Sequence, residues 1–171
     1  MKIERKSIND VLVIIPDVYR DERGYFFESY NKSKLPELPD FVQDNQSYSV
    51  KNVIRGLHYQ RPPYEQAKLV RALRGKILDV AVDIRKDSPT YGKYVSEILS
   101  EDNFKQLFIP RGFAHGFSVL SDEAIVLYKT DNFYNKESEG GIVWNDSKLG
   151  IDWMVDNPIV SEKDRALGKF K

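Results

Sequence analysis

The stretch Lys76-Ile-Leu-Asp-Val-Ala-Val-Asp-Ile-Arg85 decides the fold class. Positions 78, 80, 82 and 84 are Leu, Val, Val and Ile, whereas 79, 81, 83 and 85 are Asp, Ala, Asp and Arg. Successive side chains of a strand point to opposite sides of the pleat, so this period of two predicts a β-strand with one buried face. The apolar set is expected to be that face. Outward from it, similar short strands are expected near 10–16, 24–30, 41–50, 53–60, 67–74, 92–99, 105–109, 113–120 and 124–131. Turn formers separate them: Asp21-Glu-Arg-Gly24, Pro62-Pro63, Arg74-Gly75, Ser88-Pro89 with Gly92, and Pro110-Arg-Gly112. Many short strands at this spacing predict an all-β sandwich, barrel or jelly roll rather than alternating βαβ units. Helical signals are brief: Lys32 to Leu38 ahead of Pro39, and Ser161-Glu-Lys-Asp164, a capping Ser with an acidic first turn. Residues 168–171 are expected to fray.

The chain has 171 residues, 41% apolar and 12% aromatic, enough for a core of its own; that length predicts a single domain spanning 1–171. Lys plus Arg and Asp plus Glu both number 26. A zero formal charge argues against a nucleic-acid partner, which needs a broad basic surface, and leaves a local basic pocket open. There is no Cys, which removes disulfides, thiolate zinc sites and Cys nucleophiles. Two His, His58 and His115, are too few for a three-His metal centre. The apolar run Val11 to Ile15 is too short for a signal-peptide core, and no stretch has the length to cross a bilayer. No membrane partner and a cytoplasmic location are therefore expected.

Two segments concentrate chemistry. Arg55-Gly-Leu-His58-Tyr-Gln-Arg-Pro-Pro63 precedes Gln66-Ala-Lys68-Leu-Val-Arg71, and the second His lies in Pro110-Arg-Gly-Phe-Ala-His115-Gly-Phe-Ser118. Phe113, His115 and Phe117 share one strand face; Ala114, Gly116 and Ser118 leave the other nearly bare, a sign of tight packing or close ligand approach. Taken alone, either His is more simply a satisfied, half-buried strand residue. Together with Arg55, Lys68 and Tyr128 they make an acid–base pocket conceivable. A His can remove a carbon-bound proton beside a ketone, a cation can stabilise the enolate oxygen, and a protonated Tyr can return a proton from the other face. That sequence is an epimerisation. Spacing alone does not establish it, because core Tyr and solvated Lys are individually commoner.

The chain resembles, nearly end to end, the dTDP-4-dehydrorhamnose 3,5-epimerase family. The resemblance runs through Asp21-Glu-Arg-Gly-Tyr-Phe-Phe-Glu28, Phe41-Val-Gln-Asp-Asn45, Val53-Ile-Arg-Gly-Leu-His-Tyr-Gln60, Gln66-Ala-Lys-Leu-Val-Arg71 and Asp79-Val-Ala-Val-Asp-Ile-Arg85. It continues in Ser88-Pro-Thr-Tyr-Gly92, Ile109-Pro-Arg-Gly-Phe-Ala-His-Gly-Phe117, Tyr128-Lys129, Ser138-Glu-Gly140, Trp144-Asn-Asp146 and Ser161-Glu-Lys-Asp164.

The resemblance implies a cupin-type jelly roll, a homodimer, no metal or other cofactor, and a dTDP-linked 4-keto-6-deoxy sugar as substrate. It implies His58 as general base paired with Asp164, Lys68 facing the enolate oxygen, and Tyr128 as general acid. Arg23, Phe26 and Glu28 are expected at the nucleotide end, lent across subunits. Gln43, Asp44, Asn45, Arg55, Lys68, His115, Glu139 and Lys163 complete the expected substrate contacts. The simpler readings are a helix-start carboxylate for Asp164, core packing for Tyr128, and solvated charges for Glu28, Glu139 and Lys163. One position departs from the family: Phe133 stands where Tyr or Trp commonly stacks on thymine, and Tyr134 would point the other way in an extended segment. The competing readings are a monofunctional 3- or 5-epimerase, a silent sugar-nucleotide-binding cupin, and a metal-dependent cupin, which two His not arranged as His-x-His disfavour.

Overall fold

The computed structural model describes residues 1–171, 13 strands and little helix. Six strands form one antiparallel sheet in the spatial order β1 (Lys2–Arg5), β2 (Leu12–Ile15), β10 (Gln106–Ile109), β7 (Lys68–Arg74), β12 (Glu123–Thr130) and β5 (Gln43–Val50). Five form a second: β13 (Glu139–Gly141), β6 (Ile54–Gln60), β11 (Phe113–Val119), β8 (Lys76–Asp83) and β9 (Tyr94–Ser100). The two pack face to face as a jelly roll. A separate ribbon pairs β3 (Tyr19–Asp21) with β4 (Gly24–Phe26), and α1 is one short helix, Glu162–Arg165.

Three apolar layers hold this arrangement. Between the sheets, Val70, Ala72, Ala124 and Val126 of the first meet Ile77, Ala81, Phe113 and Phe117 of the second. Outside the second sheet, Leu78, Val80 and Val82 are covered by Ile142, Leu149 and Trp153. Outside the first, Leu12, Ile14, Leu69 and Phe108 are covered by Leu35 and Leu38.

The middle layer corrects the reading of 76–85. Strand β8 is buried on both faces after its first residue, and its apolar set packs outward under the C-terminal segment. Asp79, Ala81 and Asp83 are the side that shares the sandwich interior, and both carboxylates are fully buried. Asp83 is satisfied locally: it accepts from the Arg85 backbone N–H (3.0 Å), Arg85 Nε (2.9 Å), Ser88 Oγ (2.6 Å) and Thr90 Oγ1 (2.6 Å). Burial works against its charge, but these donors outweigh it and hold the carboxyl far below its ordinary range.

Two local expectations also change. Lys32 to Leu38 forms turns rather than helix, because Pro36 interrupts the hydrogen-bond ladder; Leu35 and Leu38 still anchor it in the core. The C-terminal tail does not fray. Val143 N–H donates to Gly168 O (2.9 Å), Phe170 N–H to Asp146 Oδ2 (2.9 Å), and the Phe170 ring lies 4.9 Å from that of Tyr91.

The irregularity that shapes the interior is a bulge in β6. Across the β6–β11 pair, His58 opposes His115 and Arg55 opposes Phe117, so three steps on β6 match two on β11. Simple alternation would send Arg55 and His58 to opposite faces; the extra residue puts both on the inner one. Gly56 takes φ +114, and a Cβ there would sit 2.6 Å from His115 O. Gly116 explains the bare face of β11 as tight packing: its Cβ would be 2.6 Å from Arg55 O and 3.2 Å from Trp153. Gly56→Ala should therefore cost more than about 1 kcal/mol, a fall in Tm of several degrees, checked by thermal denaturation.

Candidate active site

The open end of the sandwich holds a cleft of about 340 Å³ lined from both sheets. From β6 comes His58, whose Nε2 lies 2.7 Å from Asp164 Oδ1. Asp164 owes its place to α1. Ser161 caps the helix by accepting from the Asp164 backbone N–H (3.1 Å), and the Asp164 side chain turns away to the bulged strand. There Oδ2 accepts from Gly56 N–H at 3.1 Å. Burial opposes ionisation of Asp164, but the His58 contact and the Gly56 N–H together hold its pKa down. An ionised Asp164 can only accept, so in the neutral imidazole the proton belongs on Nε2 and Nδ1 carries the free lone pair.

A second chain of contacts runs from the first sheet into the second. Lys68 Nζ lies 3.3 Å from His115 Nδ1, and His115 Nε2 lies 2.7 Å from Asp79 Oδ1. His115 and Asp79 are buried, and burial lowers the imidazole pKa despite the nearby carboxylate. Neutral His115 thus donates to Asp79 and accepts from Lys68. Burial also brings Lys68 from 10.5 down to about 8, with Asp79 pulling the other way. Tyr128 stands on β12 with Lys68 Nζ 5.7 Å from its ring centre, and burial raises its pKa, keeping the phenol protonated.

Of the residues expected from sequence, His58, Lys68, Tyr128, Asp164, Arg55, His115 and Lys163 line this one cleft. Arg55 is held by Ser49 Oγ (2.9 Å) and Tyr48 O (3.1 Å). Lys163 donates to Glu139 Oε1 (2.6 Å), whose other oxygen accepts from the Tyr134 hydroxyl (3.1 Å). Phe133 is 63% exposed on a loop tied down by Gln60, which donates to Phe133 O (3.2 Å) and accepts from Asn135 N–H (2.6 Å). Gln43 and Asn45 sit on the inner face of β5, bonded to each other at 2.9 Å.

Gln43, Asn45, Phe133 and Glu139 do not themselves line the cleft, and four further expected residues point elsewhere. Asp44 points out of the sandwich to Lys129 Nζ (3.0 Å), as strict alternation after Gln43 requires. Arg23, Phe26 and Glu28 do not reach the cleft of their own chain. Arg23 binds Asp21 on the exposed ribbon, Phe26 is 67% exposed, and Glu28 binds Lys34 and Asn31. Alternation alone places Asp79 on a solvent face; its sequence signal is an acid in mid-strand on the same parity as small Ala81, and the structure buries both.

The family model for dTDP-4-dehydrorhamnose 3,5-epimerase matches residues 5–171. The chain belongs to that family. A relative of that name from Shigella flexneri is 55% identical over 174 residues, covering 99% of this chain and 96% of its own. A 3,5-epimerase structure from Bacillus anthracis, with TDP and PPi bound, superposes with a TM-score of 0.96 at 46% identity over 99% of both chains. A dTDP-6-deoxy-D-glucose-3,5-epimerase from Legionella pneumophila, in complex with dTDP-4-keto-L-rhamnose, has a TM-score of 0.94 at 46% identity, covering 98% and 92%.

In chemical terms the cleft offers an imidazole, an ammonium and a phenol on facing walls. Titration of Lys68 followed by NMR should show a midpoint near pH 8. Asp79→Asn should lower that midpoint, since the carboxylate favours the ammonium. With the folded value below that of a free Lys, the unfolded chain binds more protons between about pH 8 and 10.5. This residue's contribution to stability therefore rises with pH through that window.

Proposed function

We propose that the chain catalyses 3,5-epimerisation of dTDP-4-dehydro-6-deoxy-D-glucose to dTDP-4-dehydro-L-rhamnose, with His58, Lys68, Tyr128 and Asp164 as its catalytic set. One observation carries the assignment of roles: His58 and Tyr128 stand on strands of the two facing sheets and open into the same cleft. A sugar ring held between them is addressed from both faces, and inversion at carbon demands that.

His58 Nδ1 takes the proton from a carbon next to the C4 ketone. The C–H electron pair moves into the ring and onto the ketone oxygen, forming an enolate. Asp164 steadies the imidazolium that results. The Lys68 ammonium stabilises the oxyanion in a site where charge interactions are far stronger than in water. Tyr128 then delivers a proton to the opposite face. One proton leaves carbon, one arrives, and no net electrons are exchanged, so the chemistry calls for no redox partner. Exchange with solvent water then takes the proton from His58 and returns one to Tyr128, and the reset pair acting at the second carbon gives the double inversion at C3 and C5.

Around the sugar, Arg55 supplies a planar guanidinium suited to diphosphate oxygens, with Gln43, Asn45, His115, Lys163 and Glu139 as further contacts. Phe133 provides a stacking face for the base without a polar tip. Arg23, Phe26 and Glu28 complete the nucleotide end from a second subunit, which makes the working form a homodimer. The exposed ribbon that carries Arg23 and Phe26 also presents Tyr19 and Tyr25 at 67% and 56% exposure, an aromatic surface suited to a partner. Light scattering should show a dimer; a fully active monomer would remove this part of the proposal.

Incubation with dTDP-4-dehydro-6-deoxy-D-glucose in D2O, read by NMR at C3 and C5 separately, tests the reaction. His58→Ala should lose deuterium exchange at both carbons by about 10²–10⁴-fold. Tyr128→Phe should separate exchange from inversion, because the enolate still forms and His58 can return a deuteron to the original face. Unchanged inversion in the Phe variant would show that another donor supplies the second proton. Exchange confined to one carbon in the wild type would instead indicate a single-centre epimerase.

A further inference from the structure

Strand β5 lays a polar column along the interior. Gln43, Asn45, Ser47 and Ser49 oppose Thr130, Tyr128, Val126 and Ala124 on β12, whereas Asp44, Gln46, Tyr48 and Val50 on the other face are exposed. Three members of the column have partners. Gln43 Nε2 donates to Asn45 Oδ1, and Ser49 Oγ accepts from Arg55 Nε. The exception is Ser47, whose Oγ is buried and makes no hydrogen bond within the protein.

An unpaired buried hydroxyl costs roughly 1–3 kcal/mol, and native structures leave few of them. Ser47's cross-strand neighbour, Val126, offers no donor or acceptor, so the strand pair itself provides no remedy. The residue does line the cleft, alongside His58, Lys68 and Tyr128. Its unpaired hydroxyl therefore lies in the wall of the cleft, where a small side-chain adjustment brings it to a ligand oxygen.

We propose that Ser47 is a substrate-binding residue whose hydroxyl pairs with an oxygen on the sugar ring of the nucleotide sugar. This rests on the epimerase reading of the cleft. The sugar is favoured over the diphosphate for two reasons. Ser47 shares its wall with Tyr128, a group that must reach the ring. A neutral hydroxyl that both donates and accepts also matches a sugar hydroxyl, while the anionic diphosphate is better served by the Arg55 guanidinium.

The test compares wild type and Ser47→Ala by calorimetric titration with two probes, dTDP and dTDP-glucose. Neither has a ketone, so binding is read without turnover. The variant should bind dTDP as the wild type does and bind dTDP-glucose about five- to ten-fold more weakly, the loss of one net hydrogen bond. Its Tm should be unchanged or higher, because the substitution removes an unsatisfied group. Equal affinity for dTDP-glucose in both proteins overturns the proposal. So does equal weakening toward both probes, which would place the contact on the nucleotide or diphosphate. A lower Tm with both affinities reduced assigns Ser47 a purely structural role. If wild type binds neither probe, the failure lies in the epimerase reading itself.

Discussion

The carboxylate of Asp164 ties the C-terminal helix to the bulged strand, and the geometry of the cleft depends on that tie. One oxygen accepts from the backbone of Gly56, inside the bulge, and the other meets the imidazole of His58 just beyond it. The residue is 4% exposed, so both contacts act in a poorly screened environment. Without the bulge, His58 and Arg55 would not share a face. Without the capped helix, the carboxylate would have no route to either group. A helix of four residues is too short to be stable by propensity, so its position comes from Ser161 capping and from this buried anchor.

A jelly-roll interior is normally an apolar filling, and here half of it is. At the other end of the sandwich the inner faces carry Lys68, Asp79, His115, Tyr128 and the polar column of β5. The fold tolerates this because apolar burial is spread over three layers. The layers outside each sheet, built from residues near 35–38 and 142–160, supply core that the interior gives up to chemistry. The buried charges there are only partly provided for: Asp79 meets His115 through Oδ1 while its Oδ2 is buried without a partner, so the site carries a desolvation cost. Lys68 is the clearest case: its lowered pKa reflects burial that costs stability and leaves the ammonium poorly solvated.

Much was legible in the sequence by itself. Period-two runs, turn residues and the lack of long helical patterns determined an all-β fold, a sandwich, barrel or jelly roll, because side-chain alternation is a local property of the strand. The candidate site residues were named by the family resemblance rather than by spacing, which alone left each His a half-buried strand residue and Asp164 a helix-start carboxylate. The polar alternation Gln43, Asn45, Ser47, Ser49 was present in the string, but which face was the interior could not be read from it.

Tertiary structure decided the rest. Alternation misplaces the interior side of strand β8 because its apolar side is covered by a segment about 60–75 residues further along, and no local pattern announces a second apolar cover. Asp79 went from solvent face to buried partner of His115 for that reason. The bulge at Gly56 inverted a parity that alternation would have fixed, and only the register against β11 reveals it. The tail was expected to fray by its position in the chain, yet it docks through Asp146 and Tyr91, contacts distant in sequence. In each instance the deciding interaction is long-range, and such pairings are specified by packing of the whole sandwich rather than by the residues beside them.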